Sequence, residues 1–321
     1  ERLVGSEMCI RDRCNITFIG PDSDIIEKTG NKQEARNTMI SAGIPVIPGT
    51  KEPVMDAERG KELADNIGYP VMVKAALGGG GKGMRVVYTK EDFKQIFIDL
   101  GIEKGSKILL EADLSRYSGL VGNYQMLIET LQELIGDTGL LCMPCFSYSC
   151  LDPACTDTIY PFEKWKEVRE NLPGYHVMYT PSEIYQECTN LFLHYKDVYR
   201  SNHPVYSFAY WGCFDENLLK VDVNDALSFK GSLSFLHEKK ACNLLIGVSP
   251  EKSLMVRALS NEYQLGKTVV QRAFLHSKRQ LTKSFLVQIV DDELSRDLLD
   301  GLTVLQSDSS LDDIFVLRKG E

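Results

Sequence analysis

No stretch of this sequence is long and apolar enough to cross a bilayer. Its longest apolar runs, such as Ala241 to Val248, are strand-sized, far short of the about 20 residues that a spanning helix needs. Positive charge is also scarce. The 36 Lys and Arg are outnumbered by 45 Asp and Glu, for a net charge of −9. Neutralising phosphates takes clustered Lys and Arg, so nucleic acid is not expected as the main partner. No secretory signal is visible, and residence in the cytoplasm is expected. The chain opens on Glu1 rather than Met, which reads as a fragment or a frame open at its 5′ end. A disulfide framework is missing too, because nine Cys in 321 residues is not the density of a small stapled domain. Four of them, Cys142, Cys145, Cys150 and Cys155, open with a C-x-x-C spacing. The spacing after Cys145 is no standard zinc half-site. The four read as small buried or surface thiols, and no metal site is expected.

What is present is core-forming material. Hydrophobic residues make up 43% of the chain, enough for a packed interior rather than disorder. The length suits two domains or one large one. Residues 3–13 resemble a translated sequencing adapter and are set aside, as a tag would be.

From Cys14 onward, strand and helix patterns alternate. Ile16 to Gly20 reads as a short strand. Asn31 to Ser41 reads as a helix stopped by Gly43. Ala57 to Asn66 reads as a second helix, ended by Gly68 and Pro70. Val71–Ala75 and Met84–Tyr88 read as strands flanking Gly78-Gly-Gly-Gly-Lys-Gly83. Phe18-Ile-Gly-Pro21, Gly30-Asn-Lys32, Ala42 to Gly49, Gly68 to Ala75 and the glycine run resemble biotin carboxylase, an ATP-grasp enzyme, in order and spacing. The resemblance covers residues 14–93. It implies that Lys32 and Lys74 stand where that family holds nucleotide phosphates, with Gly78, Gly79, Gly80, Gly81 and Gly83 in the flap over them. Glycines let backbone N–H groups approach an anion, so the chemistry fits. The acidic metal ligands and the rest of the ATP cleft lie beyond the matched stretch. Phosphoryl transfer rests on positioning and metal charge, so ATP and Mg²⁺ are not expected to be used.

Past Glu91 the pattern changes. It predicts a helix ending at Asp99, strand Lys107–Glu111, helix Gln125–Ile135 and strand Gly139–Phe146. Thr180-Pro-Ser-Glu183 has the form of a capping box opening a helix through Tyr195. Strands Tyr206–Trp211 and Ala241–Val248 follow, then a helix over Ser253–Gln264, strands Val269–Leu275 and Ser284–Val290, and a closing helix Asp292–Leu299. This is an α/β domain with a mixed sheet, assigned to residues 94–321.

Three stretches carry a second resemblance: Asp99 to Gly105, Gly136 to Pro144 and, above all, Arg200-Ser-Asn-His-Pro-Val-Tyr-Ser-Phe-Ala-Tyr-Trp-Gly212. They resemble the aminoglycoside 3-N-acetyltransferase family, which moves acetyl from acetyl-CoA to an amine. The resemblance implies acetyl-CoA as co-substrate and a small-molecule amine as acceptor, and it leaves the oligomeric state open. An ammonium is no nucleophile, so the chemistry needs a base. In the family that base is a His in a Thr-x-His-x-x-Glu stretch after the strand matching Ala241–Val248, with the Glu orienting the ring. Here Arg257 falls at the His position and Ser260 at the Glu position, and no His lies between His237 and His276. Arginine does not give up its proton at neutral pH. Glu262 and Glu111 are the substitute bases to weigh, Glu111 lying in Glu111-Ala-Asp113 where the family has His-Ser-Ser. Arg200 and Ser201 are expected on the CoA side. His203 either borders the acyl-CoA channel or hydrogen-bonds the loop ahead of Pro204. Asp152 either attracts a cationic substrate or is a solvated loop residue.

Three readings follow. The second domain is a divergent acyl-CoA-dependent N-acetyltransferase, or it binds CoA or a partner without turnover, or the chain is a joined frame carrying an inactive carboxylase fragment.

Overall fold

The structure is a computed structural model that describes residues 32–50, 54, 57–68, 71–74, 84–87, 90–114, 123–156, 160–277, 281–307 and 313–319. The chain divides into two compact units between residues 87 and 88.

In the first unit, α1 spans Lys32–Ser41 and α2 spans Ala57–Ile67. β1 (Val71–Lys74) and β2 (Met84–Val87) pair antiparallel, Val71 opposite Val87. The expected strand at Ile16–Gly20 and the run Gly78–Gly83 lie outside the described residues.

The second unit opens with α3 (Lys90–Asp99), whose Phe93, Ile96 and Phe97 are buried. The expected boundary at 93–94 falls inside this helix. Its Lys90 and Lys94 both reach Glu133 on the next helix, at 2.5 and 2.9 Å. β3 (Lys107–Ala112), α4 (Asn123–Ile135) and β4 (Leu140–Phe146) form a parallel β-α-β unit. Then come α5 (Trp165–Asn171), α6 (Gln186–Phe192), β5 (Tyr199–Arg200), β6 (Tyr206–Gly212) and β7 (Ala241–Ile246). The unit closes with α7 (Leu254–Glu262), β8 (Lys267–Leu275), β9 (Leu281–Ile289), α8 (Asp292–Leu299), β10 (Leu302–Gln306) and β11 (Ile314–Lys319).

Seven strands form one mixed sheet in the order β10-β11-β7-β3-β4-β6-β5, and β8 and β9 form a separate hairpin. β3 is parallel to both β4 and β7. The remaining pairs are antiparallel. β4 and β7 are buried along their whole length, as expected for strands covered on both faces, whose sequences read as unbroken apolar runs. Leu109, Leu245, Phe146 and Phe208 join Leu254, Met255 and Leu259 of α7 and Phe285 and Val287 of the hairpin in one core. Strand alternation puts Glu111 on the same face as Leu109, toward α7.

The capping box expected at 180–183 does not form. Glu183 instead accepts from the N–H and hydroxyl of Ser149, at 2.9 and 2.5 Å. The Thr180 carbonyl is taken by Arg200, and the Ser147 hydroxyl donates to the Pro181 carbonyl at 3.1 Å. These tertiary partners outcompete the local cap, and the helix starts later, at Gln186. β10 and β11 lie beyond the helix that sequence reading took as the end of the domain.

Candidate functional site

Ligand crevices of open α/β sheets lie outside the carboxyl ends of parallel strands. Here that edge is where β3 and β7 end and α7 begins. Glu111 stands one residue before the end of β3, opposite Leu245 of β7, and is 1% exposed. Its Oε1 accepts from the N–H of Leu254 at 2.9 Å, and its Oε2 accepts from the Tyr185 hydroxyl at 3.1 Å. The carboxylate therefore sits on the positive end of α7, where unpaired N–H groups favour an anion. Ser253 completes that end by accepting from the N–H of Val256 at 3.3 Å.

Burial, above all, pushes the Glu111 carboxyl up to about 7. Hydrogen bonds from Leu254, Asn243 and Tyr185 and the charge of Arg257 pull the other way. The Asn243 Nδ2 also donates to the Leu109 carbonyl at 3.0 Å. Its Oδ1 is buried without a hydrogen-bond partner. Tyr185 reaches Glu111 from a left-handed backbone position, φ 46°. A side chain there costs about 1 kcal/mol, held in place by the surrounding contacts.

Arg257 lies three residues beyond Leu254, on the same side of α7, and is half-buried. Ser260 is fully buried, its hydroxyl donating to the Leu265 carbonyl at 2.7 Å, which ties down the end of the helix. Glu262 is held by Lys319 at 2.8 Å, in turn 4.7 Å above the Phe229 ring. It is five residues from Arg257, about 7.5 Å along the helix axis, and does not join the Glu111 group.

Arg200, Ser201 and His203 form an interior knot. Arg200 is 9% exposed. It donates to the Ser207 hydroxyl (3.0 Å), the Cys145 carbonyl (2.7 Å), the Ser147 hydroxyl (3.0 Å) and the Thr180 carbonyl, and it lies 5.1 Å over the Tyr175 ring. The Ser201 hydroxyl accepts from the N–H of Phe208 at 2.9 Å, and its carbonyl accepts from the Tyr175 hydroxyl at 2.6 Å. The His203 Nδ1 accepts from the N–H of Val205 and Tyr206, at 3.1 and 2.7 Å. That fixes the proton on Nε2, which donates to the Val223 carbonyl at 3.0 Å. Burial lowers the ring to about 4 despite that bond, so it is neutral at pH 7. The motif ends in Gly212 for a steric reason. Its φ is 92°, and a Cβ there would lie 2.3 Å from the Gly139 carbonyl oxygen.

Asp152 is fully buried. It accepts from Arg169 (2.9 Å to each oxygen), from Arg272 (2.7 and 3.1 Å) and from the N–H of Ala154 at 3.0 Å. Burial alone would raise its carboxyl; the donors outweigh it and hold it down at about 2. Two arginines already balance its one charge. Cys142, Cys145 and Cys150 are buried and Cys155 half-buried, and burial pushes the thiol of Cys145 up to about 12. Among the described residues, no three His, Cys, Asp or Glu are grouped to hold a metal ion. Of the nucleotide residues expected in the first unit, Lys32 begins α1 and Lys74 ends β1. Their side chains, like Gly78, Gly79, Gly80, Gly81 and Gly83, lie outside the described residues. Tyr185 and Asn243 are the members of the Glu111 group that sequence reading missed.

The family model for aminoglycoside 3-N-acetyltransferase matches residues 109–274, which run from β3 to β8 and contain the whole Glu111 group. The chain belongs to that family. Among solved structures, the YokD protein from Bacillus subtilis is similar with a TM-score of 0.63 and 24% identity, covering 72% of this chain and 88% of that one. AAC-IIIb in binary complex with CoASH gives 0.59 and 14%, over 73% and 92%. AAC-VIa bound to sisomicin gives 0.59 and 17%, over 72% and 92%. These likenesses establish the fold of the second unit. A second family model, the ATP binding domain of the carbamoyl-phosphate synthase L chain, matches residues 31–120. Biotin carboxylase 1 of Bacillus subtilis (strain 168) is 47% identical over 87 residues, 27% of this chain and 19% of that protein. Mitochondrial pyruvate carboxylase of Mus musculus is 44% identical over 80 residues, 25% of this chain and 7% of that protein. The chain spans about a fifth of the length of the biotin carboxylase 1 it matches.

Proposed function

We propose that the second unit is an acetyltransferase-family member that binds CoA but does not transfer acetyl to aminoglycosides at a useful rate. The reading rests on the resemblance, which puts Arg257 at the position of the family's base, and one observation supports it: both candidate substitute carboxylates are already engaged. Glu111 is buried and bonded through both oxygens, and Glu262 is paired with Lys319. General-base catalysis contributes about 10²- to 10⁴-fold, so its loss alone would slow turnover by about that factor. CoA binding is supported by family membership and by the shared fold.

Thiol release from acetyl-CoA with a panel of aminoglycosides tests the loss of transfer, and CoA-dependent thermal stabilisation tests binding. Stabilisation without turnover is the expected pair. Turnover clearly above the uncatalysed rate sinks the reading, and would direct attention to Glu111. Its carboxyl near 7 is the one property here that suits a base. For the first unit, we propose a biotin carboxylase fragment that does not turn over ATP, since the stretch matched is a small part of that enzyme. ATP hydrolysis by the full chain would contradict it.

A further inference from the structure

Arg257 is half-buried on the first turns of α7, and its guanidinium has no hydrogen-bond or ion-pair partner among the described residues. Other buried or half-buried arginines of the second unit are bonded. Arg200, Arg169 and Arg272 each hold carbonyls, hydroxyls or a carboxylate, and Arg318 holds the Gly101 carbonyl at 2.7 Å. A guanidinium offers five donors in a planar fork matched to an oxyanion, and leaving it half-desolvated and unpaired is costly. Its charge is felt at Glu111, but no hydrogen bond joins the two side chains. Both Glu111 oxygens are spent on Leu254 and Tyr185. The first turn of α7 adds to the same positive field. Where the family places a neutral ring to receive a proton from an amine, this chain places a permanent cation, which repels an ammonium.

We propose that Arg257 anchors an oxyanion site, so that the ligand of this crevice carries a carboxylate or phosphate group rather than a polycationic amine. This rests on the reading that α7 still borders the family's ligand site. Arg257 grips the anion as a fork, and the resting Glu111 lies behind it as a structural group. The occupant is an anionic acyl group or acceptor, or a phosphate of a nucleotide-like ligand.

The test is thermal shift and calorimetric titration of the full chain with malonate and, separately, with inorganic phosphate. Ionic strength is held constant with chloride, and CoA is titrated in parallel. Wild type is compared with Arg257→Gln, Arg257→Lys and Glu111→Gln. Loss of one forked ion pair weakens binding about tenfold, so malonate or phosphate binds Arg257→Gln at least that much more weakly. Arg257→Lys, which keeps the charge without the fork, falls between. Glu111→Gln, which removes the competing charge, binds as tightly as wild type or more so. A preference for malonate assigns a carboxylate ligand, and a preference for phosphate a phosphorylated one. Equal binding by wild type and Arg257→Gln, or no saturable binding by wild type, overturns the oxyanion site. CoA that binds both proteins alike while the anions fail leaves the CoA reading standing without it. Anion binding without CoA binding does the reverse.

Discussion

The carboxylate of Glu111, near the end of the central strand, accepts a 2.9 Å hydrogen bond from the N–H of Leu254, the first residue of α7. That contact joins residues 143 positions apart and fixes the helix carrying Arg257 against the strand edge. A buried acid thus holds the start of a helix that carries a half-buried arginine one turn further on.

Stability depends on the charge state of Glu111. Its carboxyl is raised from 4.5 to about 7, first of all by burial. The folded state thus holds this proton more tightly than the unfolded state does. The contribution is fully present below about pH 4.5 and is lost as pH rises through about 7, a change of about 3 kcal/mol. Glu111→Gln keeps a neutral acceptor of the same shape. Denaturant melts at pH 5 and pH 8 should show a smaller loss in the variant than in wild type. An equal loss in both would mean that Glu111 is not the group responsible.

His203 works in the opposite direction. Its ring is lowered from 6.5 to about 4, first of all by burial. Its contribution is present above about pH 6.5 and lost as pH falls through about 4. His203→Ala also orphans the N–H groups of Val205 and Tyr206, and is expected to cost about 2–4 kcal/mol in denaturant melts at pH 7. CoA-dependent stabilisation should survive in the folded variant, since the ring faces the interior.

Asp152→Asn leaves Arg169 and Arg272 without their shared anion. The guanidinium groups are partly exposed, which softens the loss to about 1–3 kcal/mol. The melt at neutral pH reads this directly. The Asp152 carboxyl is held at about 2 against burial by Arg169, Ala154 and Arg272. Its stabilisation is present above about pH 3.8 and fades as pH falls through about 2.

Arg200→Lys keeps the charge but not the fork that reaches Thr180, Cys145, Ser147 and Ser207 together. A cost of about 3 kcal/mol is expected. The Thr180–Tyr185 segment loses its anchor, so limited proteolysis should cut there first. Unchanged cleavage would mean that Arg200 does not hold that segment.

Most of the second unit was legible because its strands read as apolar runs and its helices as periodic ones. Lys107–Ala112, Leu140–Phe146, Ala241–Ile246 and Asp292–Leu299 fall within two residues of their sequence-based bounds. The late start of α6 was not legible, because Glu183 and Thr180 give up a local cap for Ser149 and Arg200. β10 and β11 carry apolar residues, Leu302 to Leu305 and Ile314 to Leu317, but β11 pairs with β7 across a long sequence gap. Arg257 and Glu111 could be named because the resemblance to the family pointed to their stretches. Tyr185 and Asn243 could not, since only the fold brings them to Glu111 and no motif marks them.

The central claim is that transfer is lost because an arginine replaces the base. The measurement closest to it is thiol release from acetyl-CoA with an aminoglycoside, comparing wild type with Arg257→His. Arg257→His supplies an imidazole that can take up a proton at neutral pH, whereas Ser260→Glu would force a charge into a buried position. Wild type at the uncatalysed rate and Arg257→His at least about tenfold above it is the predicted result. Turnover by wild type well above the uncatalysed rate, unchanged by Arg257→His, would contradict the account.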